Sequence, residues 1–327
     1  MSPADVVPTS GGAAYRLFAW GMIAILAAYI VNNYLINWHG IPSLAATFGG
    51  GEFRAASLIV PIVYGGALAI SFVSVARRDV SLRDESDRLH RLNLYLVRAA
   101  FWGMLLVGFA DAIISFLRVE GFLPAVFGDA LAGALGKSQW RGSYVHLPLV
   151  AAGAVLALFT RTIGFHWFAL MVVVAELLIV IGRFVFSYEQ TFMSDLVRLW
   201  YAALFLFSSA YTLYEDGHVR VDIAYAGFSD VTKGWVNAIG SLLLGVALCW
   251  VILLVSLNDK TSIVNAALLR FETSQSGFGM YIKYWMASFL AVFGITMLIQ
   301  FISYFLESVA DIRREPGKRE VVSESAH

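Results

Sequence analysis

The sequence predicts an all-α integral membrane protein with about eight transmembrane helices. Hydrophobic residues make up 59% of the 327 residues and charged residues only 14%, a composition typical of lipid-embedded proteins. The chain also contains eight apolar runs near the length of about 20 residues that a helix needs to cross the hydrocarbon layer. A helix satisfies its backbone hydrogen bonds internally, so it can span lipid where an open sheet cannot.

The predicted spans, in chain order, are residues 17–35, 58–76, 94–117, 144–159, 163–186, 196–214, 235–257 and 281–305. The fourth run is short and directly precedes the fifth, so a re-entrant or interfacial helix is an alternative there. The connections 118–142 and 258–279 are long, and their apolar spacing predicts interfacial helices, lids or partner-docking segments.

Lysine and arginine positions predict that both termini are cytoplasmic. The densest basic clusters lie at residues 77–91 and 313–319, and an even number of spans puts both on one side. The loops around Arg83, Arg161, Asp222 and Arg314 are therefore predicted to face the cytoplasm.

Several classes of function are disfavoured by composition and motifs. The 23 basic and 23 acidic residues balance, so no global field attracts nucleic acid. The single cysteine, Cys249, excludes an internal disulfide and a cysteine-based metal cluster. His146 and His166 begin adjacent antiparallel spans at opposite faces, so they cannot share a haem iron. No serine-hydrolase, zinc-protease or phosphate-loop motif occurs, so we expect no catalytic residues and no cofactor.

Two carboxylates fall within predicted spans: Asp111 in the third, and Glu176 in the middle of the fifth. Such residues are costly in lipid and invite a functional hypothesis. A cation or proton relay is one interpretation, and a hydrogen bond or ion pair between helices is the other. Because a dehydrated cation needs several converging oxygens and each carboxylate is isolated in sequence, we favour the structural interpretation.

Residues 179–222 carry a set of motifs. Arg183 and Phe184 end the fifth span, Asp195 and Arg198 open the sixth, and the run Gly217–Asp222 reads Gly-His-Val-Arg-Val-Asp. This pattern resembles the small permease subunit of TRAP (tripartite ATP-independent periplasmic) transporters, the DctQ-type family, over about residues 163–311. The chain departs from the family pattern at Met193, Ser194 and Asp195, where the family has tryptophan and two acids.

The resemblance implies a small membrane scaffold subunit of an ion-driven transporter in a bacterial inner membrane. Its partners would be a large permease subunit, which uses the ion gradient, usually sodium, and a periplasmic binding protein that delivers an organic-acid solute. Residues 1–160 would be an additional four-helix block, residues 161–312 the DctQ-like region and residues 313–327 a charged cytoplasmic tail. The alternative is an independent channel or transporter, or the membrane anchor subunit of another complex.

The spans 163–186 and 196–214 are predicted to contact the large permease, because small residues on the sixth span permit close helix approach. His218, Arg220 and Asp222 present a donor, a cation and an anion to a partner loop or to phospholipid headgroups. The predicted partner or lipid interface comprises Arg183, Asp195, Arg198, Ala202, Ala203, Ser208, Ser209, His218, Arg220 and Asp222.

Overall fold

A computed structural model describes residues 12–43, 55–161, 165–188, 190–215, 223–274 and 278–318, and within these ranges the chain forms helices and no β-strand. The helices are α1 (Ala13–His39), α2 (Ala55–Ala76), α3 (Leu82–Val119), α4 (Leu123–Phe127), α5 (Asp129–Leu135), α6 (Ser138–Phe159), α7 (Phe165–Val185), α8 (Thr191–Tyr214), α9 (Ile223–Ala226), α10 (Asp230–Leu257), α11 (Ile263–Arg270) and α12 (Lys283–Ile312).

Eight of these helices are long and apolar enough to cross a membrane, namely α1, α2, α3, α6, α7, α8, α10 and α12. The prediction of an all-helical protein with eight spans is thus confirmed. Helix α6 begins at Ser138 rather than at residue 144, and its 22 residues reach the length that a span requires. Helix α3 likewise begins at Leu82, and its 38 residues exceed the thickness of the hydrocarbon layer.

The chain forms two compact units. Unit 1 comprises Met1–Leu92, Thr212–Leu254 and Met297–His327, and unit 2 comprises Asn93–Tyr211 and Val255–Thr296. Each unit combines residues from both sides of position 160. The division into segments 1–160, 161–312 and 313–327 stays a prediction.

Within unit 1, polar contacts join the start of α3 to α12 and the residues that follow it. The Arg83 guanidinium, at the start of α3, binds the carboxylates of Glu307 and Asp311 near the end of α12. It also donates to the backbone carbonyl of Glu315 at 3.0 Å. One turn further along α3, the Ser86 hydroxyl lies 2.9 Å from the Ser303 carbonyl oxygen. These contacts bind residues 313–318 to the first turns of α3.

Unit 2 has an aromatic and aliphatic core built from α3, α7, α8 and the start of α12. The rings of Phe101 and Phe168 meet edge to face with centroids 4.2 Å apart. Helices α3 and α6 approach closely at two glycines, since a Cβ added to Gly153 would lie 2.3 Å from the backbone nitrogen of Gly103. This is the small-residue packing that membrane helices use where side chains would hold them apart.

Candidate partner-binding face and buried charge network

A fully buried ion pair lies in unit 2. Arg141, in the first turn of α6, donates to Asp111 Oδ1 of α3 at 2.8 Å, and neither side chain is exposed. His146, one further turn along α6, places Nε2 3.0 Å from the same oxygen. The Arg141 guanidinium also donates to the Leu135 carbonyl at 2.7 and 2.9 Å. A buried charge is tolerated only when it is paired and hydrogen-bonded. Here the opposite charges of Arg141 and Asp111 compensate each other where α3 and α6 meet.

The network extends to the start of α12. Asp111 Oδ2 accepts from the backbone nitrogen of Tyr281 at 2.8 Å, and the Tyr281 ring lies under the Arg141 guanidinium at 4.2 Å. The Tyr284 hydroxyl lies 2.6 Å from His146 Nδ1. Both oxygens of Asp111 therefore have protein partners, and one of these partners is a cation. Asp111 is therefore isolated in sequence but not in the fold. Its cationic partner, Arg141, lies in the segment 118–142, which the sequence had assigned to a connection between spans.

Arg141 is a member of the buried charge network that sequence reasoning missed. One feature of the sequence could have indicated its pairing with Asp111. Arg141 comes just ahead of the apolar run of the fourth span, which runs antiparallel to the third span that carries Asp111. An arginine there reads equally well as a solvated interfacial residue. Only packing shows that it is buried.

Glu176 has the opposite environment. It is exposed on α7, where Phe168 and Ala175 form the buried side of the helix. Among the described residues Glu176 has neither a hydrogen bond nor an ion pair. The surface of α7 around Glu176 is mostly exposed, with Val173 62% exposed and Val180 49% exposed. The ion pair between helices that we favoured from sequence is therefore absent at Glu176 within the described part of this chain.

The sixth span, α8, contributes mainly to the core of unit 2. Ala203 is fully buried in that core, so a partner of the folded chain cannot reach it. Ala202 is half-buried. Ser208 and Ser209 are half-buried too, and both hydroxyls donate to the Phe205 carbonyl of their own helix.

The charged residues at the ends of α7 and α8 differ in role. Asp195 accepts from the backbone nitrogen of Met280 at 3.0 Å and from the Ser274 hydroxyl at 3.4 Å, so it anchors the segment ahead of α12 within unit 2. Arg198 is exposed and 3.6 Å from Asp195. Arg183 is exposed at the end of α7. His218, Arg220 and Asp222 lie outside the described residues.

Unit 1 contains a polar cavity of about 410 Å³. Its charged lining residues are Arg83, Asp87, Lys233, Glu307, Asp311 and Lys318. Arg83 binds two of the acids, and Lys318 donates to Asp230 at 3.0 Å, a hydrogen bond that raises the pKa of the Lys318 amine. Three of the charged lining residues are basic and three are acidic, so the cavity does not present a single sign to a ligand. Among the described residues, no three histidine, cysteine, aspartate or glutamate side chains are placed to hold a metal ion.

Comparison with known proteins assigns the C-terminal part of the chain. Residues 170–311 match the family model described as "Tripartite ATP-independent periplasmic transporters, DctQ component". No curated protein and no solved structure matches the chain. The matched region contains α8, α10, most of α7 and all but the last residue of α12. It therefore confirms the resemblance seen in the motifs: residues 170–311 are similar to the DctQ component, the small membrane permease component of TRAP transporters.

Proposed function

We propose that this chain is the scaffold subunit of an ion-driven TRAP transporter that imports an organic-acid solute into a bacterial cell. The family implies association with a large permease and a periplasmic binding protein. The observation that carries the proposal is the family match across four of the eight spanning helices. The sodium gradient and the organic-acid substrate come from the family resemblance.

The charge environment supports a scaffold rather than a coupling role. A sodium site needs several converging oxygens with free lone pairs. Both Asp111 oxygens accept hydrogen bonds, and Arg141 places a positive charge 2.8 Å away. Glu176 is a single carboxylate on an open helix face. We therefore assign ion coupling to the large permease.

Co-purification tests this function directly. The full chain, tagged and produced together with the large permease subunit of its own transporter, should retain that subunit through affinity and size-exclusion steps. The reconstituted pair with its binding protein should then show sodium-dependent uptake of an organic acid. A chain that purifies without any second membrane protein would favour the alternative of an independent channel or transporter.

Cysteine labelling tests the proposed orientation. In a Cys249→Ala background, Ser229→Cys, between α9 and α10, should react only with reagents that enter the cytoplasm. Lys260→Cys, beyond the other end of α10, should react from the periplasm. Both positions are exposed in the structure. The reverse pattern would refute the placement of both termini in the cytoplasm.

A further inference from the structure

Helix α7 has a distinct flank around Glu176. The midpoint of this helix is Ala175, which is buried. At 100° per residue, Glu176 lies about 100° around the helix from Ala175. Val173 and Val180 lie within about 60° of Glu176 on the same side, and both are exposed. We call the surface formed by Val173, Glu176 and Val180 the Glu176 flank.

A carboxylate at this position needs a partner. Glu176 is roughly 14 Å or more from either end of the helix at 1.5 Å per residue, so its short side chain cannot reach the headgroup region. An acidic residue at the centre of a spanning helix strongly disfavours contact with lipid. Arg183, by contrast, lies near the end of α7 and has a long side chain that can extend to the interface. Glu176 is therefore a charged side chain on α7 that lipid cannot pair and that bulk water cannot solvate.

We propose that the Glu176 flank is the docking face for the large permease subunit, and that the permease presents a basic or hydrogen-bond-donating side chain to Glu176 at mid-membrane depth. This inference rests on the proposed function. Charge complementarity selects the occupant. Lipid tails offer no donor, and a second copy of this chain docked symmetrically through the flank would bring two carboxylates together. A different membrane protein can supply the missing donor.

Site-specific photo-crosslinking tests the face. A photoreactive residue replaces Val180 in the full complex, and the matched control carries it at Leu178, which is 55% exposed at nearly the same depth but about 160° around the helix. We expect crosslinking to the large permease from position 180 and not from position 178. Crosslinking to the permease from position 178 alone, or to a second copy of this chain from position 180, would overturn the inference.

Moving the carboxylate tests its chemistry. Interhelical hydrogen bonds in membranes contribute about 1–2 kcal/mol in model peptides, which corresponds to a roughly 5- to 30-fold change in an equilibrium constant. Glu176→Leu should therefore weaken assembly roughly 5- to 30-fold in detergent. Combining Glu176→Leu with Val174→Glu keeps one carboxylate at nearly the same depth but turns it to the opposite flank, and this change should not restore binding. Since Glu176 has no partner among the described residues, both variants should remain monodisperse.

The outcomes separate the two proposals. If the wild-type chain holds the large permease but Glu176→Leu or the transplanted carboxylate holds it equally well, the proposed function stands and the role of the flank is overturned. If the wild-type chain does not hold the permease at all, the proposed function fails, and the inference fails with it.

Discussion

Neutralising Asp111 should destabilise unit 2 by an amount that its burial sets. Asp111→Asn keeps the size of the side chain and removes its charge, leaving the Arg141 guanidinium fully buried without its counter-ion. Breaking a buried pair by removing one partner costs about 3–5 kcal/mol, because the remaining charge is uncompensated. The asparagine can still accept from the Tyr281 backbone nitrogen, so the loss is chiefly electrostatic.

A denaturant titration in detergent micelles, followed by tryptophan fluorescence, measures this loss. The matched control is Glu272→Gln, which breaks the half-exposed pair between Glu272 and Lys283 in the same unit and should cost at most about 1 kcal/mol. Combining Asp111→Leu with Arg141→Met removes both charges, so it should destabilise far less than the sum of the two single changes. If Asp111→Asn loses no more stability than Glu272→Gln, the buried pair does not hold α3 and α6 together.

Three further predictions concern packing, the α3 end and coupling. Gly153→Ala should destabilise the chain by roughly 1–3 kcal/mol, because the new methyl group would overlap the Gly103 backbone. The control Gly133→Ala should not destabilise it, because the new methyl group would have no neighbouring atom within 4 Å. Thermal unfolding compares the two variants. Arg83→Met should lower the free energy of unfolding by roughly 2–3 kcal/mol, because two partly buried carboxylates lose their cation. This loss is somewhat smaller than that for a fully buried pair. Limited proteolysis should show earlier release of residues 313–318. Complexes that assemble with Glu176→Gln should keep the wild-type dependence of uptake on sodium concentration, and loss of that dependence with normal assembly would move this subunit into the coupling mechanism.

The sequence by itself determined the membrane class, the eight spans and the resemblance of residues 170–311 to the DctQ family. These features depend on local information, because the bilayer imposes a fixed apolar length on each helix and the DctQ pattern is a linear motif. The fourth span was ambiguous because its apolar run is short and directly precedes the fifth. The run is short because the first turns of the helix, with Arg141 and His146, are polar. The structure places both side chains against Asp111, so a polar segment can form the beginning of a long helix.

Tertiary structure alone decided which way the polar and small side chains face. Asp111 and Glu176 look alike in sequence, as single carboxylates in apolar runs, yet one is enclosed with a cation and the other is exposed. Ala203 was predicted for a partner face and is buried in the core of unit 2. The physical reason is that a spanning helix is apolar on every side, so its hydropathy carries little information about which face meets protein and which meets lipid. That choice depends on helix–helix packing, which only the folded chain reveals.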